Sequence, residues 1–372
     1  MPTSTRGDRW HEAAGDLQRS SNRAAIALAE RGVAPAILAK SLADGSVRCD
    51  LCAHRCLVRP GRIGICGVRE NIDGQLVSLV HGKAVAACLD PIEKKPLYHV
   101  VPGSMAYSIA TRGCNFHCRF CQNWVIAQGP NEDLRPLSLH LPPESVVAEA
   151  IAGRARSVAY TYVEPTIFAE YLLDTARLAK GEGLLGLLIT NGYQTPEALD
   201  LFAPWIDAAN VDLKSFSDRF YRRLCGARLA PVLESLAGMR RRGIWVEVTT
   251  LLIPGQNDDP GELRELTAWL VRELGPDTPW HVSRFFPAHR MAGLPITPLA
   301  SIRAAIGIGR AAGLRHVYPG NVPALGGDLS DDTRCPGCGH TVVRRKGYAV
   351  LENRIVDGGC PDCRTPIRGL WV

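Results

Sequence analysis

From residue 105 onward, short apolar runs alternate with longer segments of helical periodicity. The candidate strands are Ala106–Thr111, Val158–Tyr162, Gly186–Thr190, Asn210–Lys214, Trp245–Ile253 and Trp280–Phe285. The candidate helices are Pro143–Ala152, Thr166–Lys180, Pro196–Phe202, Asp218–Arg242, Gly261–Leu274 and Pro298–Ala312. Because strands that alternate with helices pair in parallel through right-handed crossovers, the pattern predicts an α/β fold with a partial (β/α)6 TIM-type barrel.

Polar residues follow the candidate strands at the points where the strands end. Cys114, Glu164, Asn191, Lys214 and His289 occupy such positions. In a barrel of parallel strands the carboxyl-terminal edge carries the active site. The sequence therefore predicts one site, at that edge.

Outside the barrel the pattern changes. The Ala-rich stretch Arg23–Leu42 has apolar residues at helical spacing and predicts one or two helices. The charged segment Asp90–His99 is flanked by prolines and predicts an ordered surface loop with solvated charges. The alternative is that Glu93, Lys94 and His99 contact the substrate. Helical periodicity stops near Gly326, and a compact Cys- and Gly-rich segment ends the chain.

Composition narrows the function classes only a little. The chain has 372 residues, 46% hydrophobic and 22% charged, with a formal net charge of +6. The arginines at 240–242 lie in a candidate helix, which favours a solvated helix face over a nucleic-acid surface. The polar N-terminus has no secretory pattern, and no apolar run approaches the roughly 20 residues of a spanning helix. A cytoplasmic protein without membrane association is therefore expected.

The chain contains 13 cysteines, and 11 of them fall into three groups. The groups are Cys49, Cys52, Cys56 and Cys66; Cys114, Cys118 and Cys121; and Cys335, Cys338, Cys360 and Cys363. Because reducing compartments give little use for structural disulfides, this grouping indicates metal sites. The two remaining cysteines, Cys88 and Cys225, are expected to be small buried apolar residues.

The middle group has the spacing Cys114-x3-Cys118-x2-Cys121 in a loop directly after the first candidate strand. Three thiolates can each bind one iron of a [4Fe–4S] cluster, whereas electron-transfer clusters use four cysteines. The fourth iron then keeps an open position for a substrate or cofactor. The alternative is a structural zinc site completed by His117, although zinc sites usually come as paired knuckles with longer separations.

This run, with an aromatic residue before the last cysteine and Gln122-Asn123 after it, resembles radical S-adenosylmethionine (SAM) enzymes of the pyruvate formate-lyase activating type. The resemblance covers about residues 105–320 and implies a [4Fe–4S] cluster and SAM as cofactors. It implies SAM contacts at Glu164 (amine), Asn191 (pocket wall), Asp212 and Lys214 (ribose and carboxylate), Gly255 (a turn near the adenine) and His281. For His281 a role as a satisfied core residue is an equal alternative. Thr161-Tyr162-Val163 stands where many members have two glycines before Glu-Pro.

A resemblance over nearly the whole length is to the AmmeMemoRadiSam system radical SAM enzymes. It is carried by the Cys49–Arg69 segment, by Asp90–His99 and by the terminal cysteine knuckles. The resemblance implies Memo-like and AMMECR1-like proteins as partners and leaves the substrate open. In glycyl-radical activating enzymes with extra clusters, the additional cysteines usually follow the radical SAM motif. In this chain Cys49, Cys52, Cys56 and Cys66 precede it, which weakens the expectation that this protein activates a glycyl-radical enzyme.

The outer cysteine groups are expected to bind metal without catalysing a reaction. Cys335-x2-Cys338 and Cys360-x2-Cys363 have a zinc-ribbon layout, with an auxiliary iron–sulfur cluster as the alternative. Cys49, Cys52, Cys56 and Cys66 suit either one zinc ion or an auxiliary cluster, and sequence does not choose between them.

Together these features predict an enzyme that reductively cleaves SAM and abstracts hydrogen from an unidentified substrate, with flavodoxin or ferredoxin as reductant. An activator of a partner protein is the alternative, and a non-catalytic zinc-ribbon binding protein is a remote one. The predicted domains are a helical extension (1–45), a Cys-rich segment (46–104), a radical SAM core (105–325) and a zinc-ribbon-like module (330–372).

Overall fold

The computed structural model describes residues 32–129, 138–323 and 327–371. Its N-terminal part is built from short strands: β1 Ala34–Pro35, β2 Ala39–Ser41, β3 Val47–Cys49, β4 Leu57–Val58, β5 Arg69–Ile72, β6 Gln75–Ser78 and β7 Lys83–Ala84. They form two antiparallel three-stranded sheets, ordered β1–β6–β5 and β2–β3–β4, while β7 pairs with β10 (Leu139–His140). This part packs beside the main sheet.

The helix predicted over Arg23–Leu42 is wrong where the structure describes the chain. Residues 23–31 lie outside the described residues, and from residue 32 onward the segment forms β1 and β2. Pairing supplies the reason: Ala34 lies opposite Ser78, and the Ile37 amide donates to the Glu170 carboxylate at 2.8 Å. These tertiary partners outweigh the weak helix propensity of the alanines.

The main sheet has eight strands in the order β16-β15-β14-β13-β12-β11-β9-β8. They are β8 Ala86–Pro91, β9 Met105–Ala110, β11 Ser157–Tyr160, β12 Leu185–Thr190, β13 Ala208–Asp212, β14 Trp245–Leu252, β15 Trp280–Arg284 and β16 Val317–Gly320. In this sheet β9 and the strands from β11 to β16 pair in parallel, and β8 runs antiparallel to β9. The predicted partial barrel-like parallel sheet and its six strands are confirmed.

Two edge strands of this sheet escaped prediction. Strand β8 lacks a clear alternation of apolar and polar residues and ends in Pro91, while β16 contains Pro319 and Gly320. Proline and glycine are tolerated at sheet edges, where one side of the strand needs no ladder partner. Pairing with β9 and β15 defines these strands, and that pairing has no local sequence signal.

Eight α-helices are described: α1 Trp124–Gln128, α2 Pro143–Ala152, α3 Ala169–Gly181, α4 Pro196–Phe202, α5 Asp218–Phe220, α6 Leu229–Arg241, α7 Pro260–Trp269 and α8 Leu299–Ala311. Side chains cap three of them: Thr195 accepts from the Ala198 amide, Ser217 from the Phe220 amide and Asp259 from the Glu262 amide. The single helix predicted over Asp218–Arg242 is wrong, because Gly226 adopts φ +71° and ends the first part. None of the described helices is both long and apolar enough to span a membrane.

The segment predicted as a surface loop with solvated charges instead fills the inside of the sheet. The amides of Tyr98 and His99 donate to the Glu247 carboxylate at 3.0 and 2.8 Å. Glu93 and Lys95 are also buried, at 1% and 2% exposure, so only Lys94 of this run keeps a partly exposed charge. Since each buried charge has a partner, the segment is a fixed part of the core.

The C-terminal segment forms a small antiparallel sheet from β17 Thr333–Arg334, β18 Thr341–Lys346 and β19 Ala349–Asn353. It docks on the segment inside the sheet: Arg345 Nη2 donates to the Tyr98 carbonyl at 2.7 Å, and the Leu370 amide donates to the His99 carbonyl at 2.7 Å. The predicted boundary near residue 330 stays a prediction.

Candidate metal and cofactor site

The cysteine loop follows β9 and is tied to the turn before Gly226. The His117 amide donates to the Cys225 carbonyl at 2.9 Å, and the Arg119 amide donates to the Leu224 carbonyl at 2.9 Å. Two backbone hydrogen bonds thus hold the loop between Cys114 and Cys121. Cys225, expected to be a small buried residue, is fully buried here. The same expectation is wrong for Cys88, which is exposed and lies 3.2 Å from the Tyr162 hydroxyl.

The three loop cysteines line a cavity of about 300 Å³ at the carboxyl edge of the sheet. Four of the predicted SAM contacts line the same cavity: Glu164, Asn191, Asp212 and Lys214. They follow or end three different strands, so the parallel order of the sheet brings them together.

The spacing of the sulfur atoms tests what this cavity can hold. In the described part of the chain, one group of cysteines has at least three sulfur atoms that all lie within 4.8 Å of one another. This group is Cys335, Cys338, Cys360 and Cys363. Sulfur ligands of one zinc ion lie about 3.8 Å apart, since the Zn–S bond is about 2.3 Å. The sulfurs of the loop cysteines form no such group, so at least one pair of them lies farther apart than two ligands of one zinc ion.

Glu164 lies in the cavity wall with both carboxylate oxygens already hydrogen-bonded. It accepts from Thr190 Oγ1 at 2.8 Å, from the Asn191 amide at 2.7 Å and from the Thr166 amide at 3.1 Å. Burial raises the pKa of Glu164, although these donors oppose the rise. Its role as the amine contact stays a prediction, because the side chain also holds the end of β12.

Asn191, Asp212 and Lys214 also line the cavity wall. Asn191 Nδ2 donates to Asn115 Oδ1 at 2.7 Å, and Lys214 Nζ contacts Asp212 Oδ2 at 2.9 Å. Burial alone would lower the pKa of Lys214, but the Asp212 carboxylate raises it well above its usual value. The lysine is therefore a fixed cation beside the cysteines.

Two predicted contacts lie elsewhere. His281 Nε2 contacts Glu247 Oε2 at 2.7 Å inside the sheet, where both side chains are buried and Tyr98 packs on the imidazole. Gly255, with φ +68°, donates its amide to Asp258 in an outer turn and does not line the cavity. Neither reaches the cysteines without a rearrangement.

Comparison with known proteins agrees with this arrangement. The family model described as the radical SAM superfamily matches residues 108–267. An uncharacterized protein of Methanocaldococcus jannaschii, MJ0808, is 40% identical over 310 residues, which are 83% of this chain and 91% of that protein. The chain belongs to the radical SAM superfamily. Members of this superfamily are enzymes that use a reductant, and some act on partner proteins.

More distant likenesses to radical SAM proteins cover parts of the chain. The pyruvate formate-lyase-activating enzyme of Listeria monocytogenes is 23% identical over 174 residues, which are 44% of this chain and 68% of that enzyme. A radical SAM methyltransferase structure from Sphaerobacter thermophilus has 18% identity and a TM-score of 0.47, covering 59% of this chain and 66% of that one.

The sequence analysis did not predict that Tyr162 lines the cavity beside the three loop cysteines. Its φ is +65°, in the left-handed region that favours glycine, and its hydroxyl donates to Asp90 Oδ2 at 2.5 Å. Lys94, named as a candidate substrate contact, lines the cavity together with Lys95, and both contact Asp90. The sequence contained a signal for this position, because a tyrosine stands where many radical SAM enzymes have a glycine.

The C-terminal cysteines form the most compact sulfur group. Cys335 Sγ lies 3.5 Å from Cys363 Sγ, and Cys338 Sγ lies 3.7 Å from Cys360 Sγ. These distances suit the edges of a tetrahedron around one ion. Because four thiolates fill such a tetrahedron, this site has no open position for catalysis.

Proposed function

We propose that Cys114, Cys118 and Cys121 bind a [4Fe–4S] cluster and that the same cavity binds SAM. The observation that carries the proposal is the shared cavity of about 300 Å³, lined by these cysteines, by buried Glu164 and by partly buried Lys214. When bound, the two groups supply one-electron reduction of SAM to methionine and a 5′-deoxyadenosyl radical, which abstracts hydrogen from a substrate.

The residues of the chain position the two groups and keep water away. The Lys214 ammonium, held by Asp212, gives the wall a positive charge opposite an anionic ligand such as the SAM carboxylate. Phe116 and Phe120 are buried at the cavity wall and limit the entry of water. The chain thus supplies binding and electrostatics, and the cofactors supply the reactivity.

Anaerobic reconstitution tests this function. Protein loaded with iron and sulfide and then given dithionite and SAM is expected to release 5′-deoxyadenosine. The Cys118→Ala variant is expected to release none, whereas Ser41→Ala, at an exposed serine of β2 outside the cavity, should match the wild type. Absence of 5′-deoxyadenosine from the wild type would overturn the proposal.

A second candidate is an activator that acts on a partner protein. Its support is the likeness to the pyruvate formate-lyase-activating enzyme of Listeria monocytogenes over 44% of this chain. SAM cleavage that starts only when a partner protein is added favours this candidate. Abundant cleavage without one favours a small-molecule substrate.

We further infer an AmmeMemoRadiSam system enzyme of the cytoplasm, with flavodoxin or ferredoxin as reductant and Memo-like and AMMECR1-like partners. The support is that Asp90–His99 packs against the C-terminal segment that carries the terminal cysteines, through Arg345 and Leu370. Co-purification of the tagged chain with proteins of these two types, and cell fractionation, test the inference.

We also propose zinc at the C-terminal cysteines, supported by their 3.5 and 3.7 Å sulfur separations. Elemental analysis of the native protein is expected to give about one zinc per chain from this site. Cys338→Ser should lose this zinc and keep its iron. Iron in place of zinc at the site would contradict the proposal.

A further inference from the structure

A second, small cavity lies beside the cavity of the three loop cysteines. Its walls contain Cys49, Cys52, Cys56 and Cys66. The thiol of Cys52 lies near those of Cys49 and Cys66, and the thiol of Cys49 lies near that of Cys56. The Cys49 amide also donates to the Cys56 carbonyl at 2.9 Å, which fixes the backbone on one side. The fold thus brings four sulfur donors to one place.

These sulfurs are too far apart for one tetrahedral ion. Unlike the C-terminal group, no three of them lie within 4.8 Å of one another. Around zinc they would lie about 3.8 Å apart. The cavity between them has a volume of about 20 Å³, which is room for about one water. The separation of the sulfurs, and not this volume, favours a polynuclear group over a single ion.

Two unpartnered donors line the same cavity. Arg69 Nε and Asn115 Nδ2 are buried and lack a hydrogen-bond partner within the described part of the chain. The remainder of the Arg69 guanidinium is fixed, because Nη2 lies 2.9 Å from a Glu170 carboxylate oxygen and donates to the Ile37 carbonyl at 2.7 Å. A buried N–H without an acceptor costs about 1–3 kcal/mol, so an acceptor belongs in this cavity.

We propose that Cys49, Cys52, Cys56 and Cys66 hold a second [4Fe–4S] cluster, to which Arg69 Nε and Asn115 Nδ2 donate hydrogen bonds. The inorganic sulfides of the cluster and its cysteine thiolates would accept the hydrogen bonds of these two donors. With a cysteine on every iron, this cluster has no open position for SAM, which distinguishes it from the site at Cys114.

The two sites are neighbours in space. Asn115 lines the small cavity, while Cys114 and Phe116 on either side of it line the large one. Consecutive Cα atoms lie about 3.8 Å apart, so one residue separates the cavities. The Cys66 carbonyl also lies against Gly113, where an added Cβ would approach it to 2.6 Å.

The experiment counts metals in a chain that lacks the first site. The triple variant Cys114→Ala, Cys118→Ala, Cys121→Ala is reconstituted anaerobically with iron and sulfide in the presence of zinc. We expect about four iron and about four sulfide ions per chain, with the Mössbauer spectrum of one [4Fe–4S] cluster. Adding Cys52→Ala should reduce iron at least fourfold and leave zinc unchanged.

Zinc in place of iron in the triple variant, or no metal beyond the C-terminal zinc, overturns the proposal. Circular dichroism checks that the triple variant folds; if it does not, the single variant Cys118→Ala takes its place. The difference in iron between wild type and triple variant reports on the first site alone. Failure of the proposed function is therefore visible separately from failure of this inference.

Arg69→Lys tests the hydrogen bond to the cluster. Lysine keeps the charge opposite Glu170 but has no nitrogen at the position of Nε. Since hydrogen bonds to the sulfurs raise the reduction potential, we expect a more negative potential in a redox titration of the triple variant. Arg55→Lys, at an exposed arginine beside Cys56, is the control and should leave it unchanged. Equal reduction potentials in all three proteins would show that Arg69 does not donate a hydrogen bond to the cluster.

Discussion

Asn191 Nδ2 donates a 2.7 Å hydrogen bond to Asn115 Oδ1. The bond joins the end of β12 to the cysteine loop, and both side chains are buried. Asn115 also accepts a hydrogen bond at its carbonyl from His54 Nε2 at 2.8 Å, if that nitrogen carries the proton. One residue therefore connects the N-terminal part, the cysteine loop and the third parallel strand.

Asn191→Ala is expected to destabilise the protein by about 1–3 kcal/mol, because the buried Asn115 Oδ1 loses its 2.7 Å donor and keeps only the Cys114 thiol, 4.0 Å away. The loosened loop should also lose iron several-fold faster to a chelator. Urea denaturation and absorbance of the cluster measure the two effects. Asn353→Ala, at an exposed asparagine, is the control and should stay within about 0.5 kcal/mol of the wild type. A wild-type rate of iron loss in Asn191→Ala would contradict the role of this bond.

Glu164→Gln is expected to cost about 1–3 kcal/mol without SAM present. The carboxylate accepts from the Asn191 amide and from Thr190, and a glutamine would turn an N–H group toward one of these donors. Denaturation of the SAM-free protein measures the loss. Glu197→Gln, at a half-exposed carboxylate on α4, serves as the control. An unchanged stability would mean that Glu164 acts on SAM only.

Gly113→Ala is expected to destabilise the protein more than Gly243→Ala. Both glycines have positive φ, +90° and +80°, so each substitution carries a backbone cost of about 1–2 kcal/mol. Only at Gly113 does the new Cβ meet neighbours, the Cys66 carbonyl and Val68, each at 2.6 Å. This overlap should add about 1–3 kcal/mol. Equal losses in urea denaturation would show that the two cysteine segments are not in close contact.

His316 is expected to make stability fall in mild acid. Burial lowers the pKa of His316 to about 4, with the His99 ring 4.4 Å away and the Asp277 carboxylate as its acidic neighbour. The unfolded chain binds this proton near pH 6.5, so stability present above that pH is lost as pH falls toward 4. The loss is about 3 kcal/mol.

His316→Gln should therefore show a flatter decline than the wild type between pH 6.5 and 4 in urea denaturation. Loss of metal at low pH is common to both proteins, so their difference isolates the histidine. His140→Gln, at an exposed histidine, should keep the wild-type slope. A variant as acid-sensitive as the wild type would refute the assignment.

Local sequence patterns predicted most of the sheet and the residues around the cysteines. The six central strands are almost continuous apolar runs, because a parallel strand covered on both faces needs apolar side chains throughout. Residues after such strands meet at one edge, which is why Glu164, Asn191, Asp212 and Lys214 share a cavity. The edge strand β8 and the break at Gly226 lack comparable signals.

The strand–helix alternation by itself determined the edge of the sheet that carries the cavity, and the cysteine run carried the resemblance to radical SAM enzymes. Only the tertiary structure decided that His281 pairs with Glu247 inside the sheet and that the Asp90–His99 segment is buried. The tertiary structure also decided that the sulfur atoms lie close together in the C-terminal cysteine group and farther apart in the N-terminal one. The physical reason is that periodicity and spacing act within a few residues along the chain. Partners such as Tyr98 and Glu247, 149 residues apart, meet only when the whole sheet has closed around them.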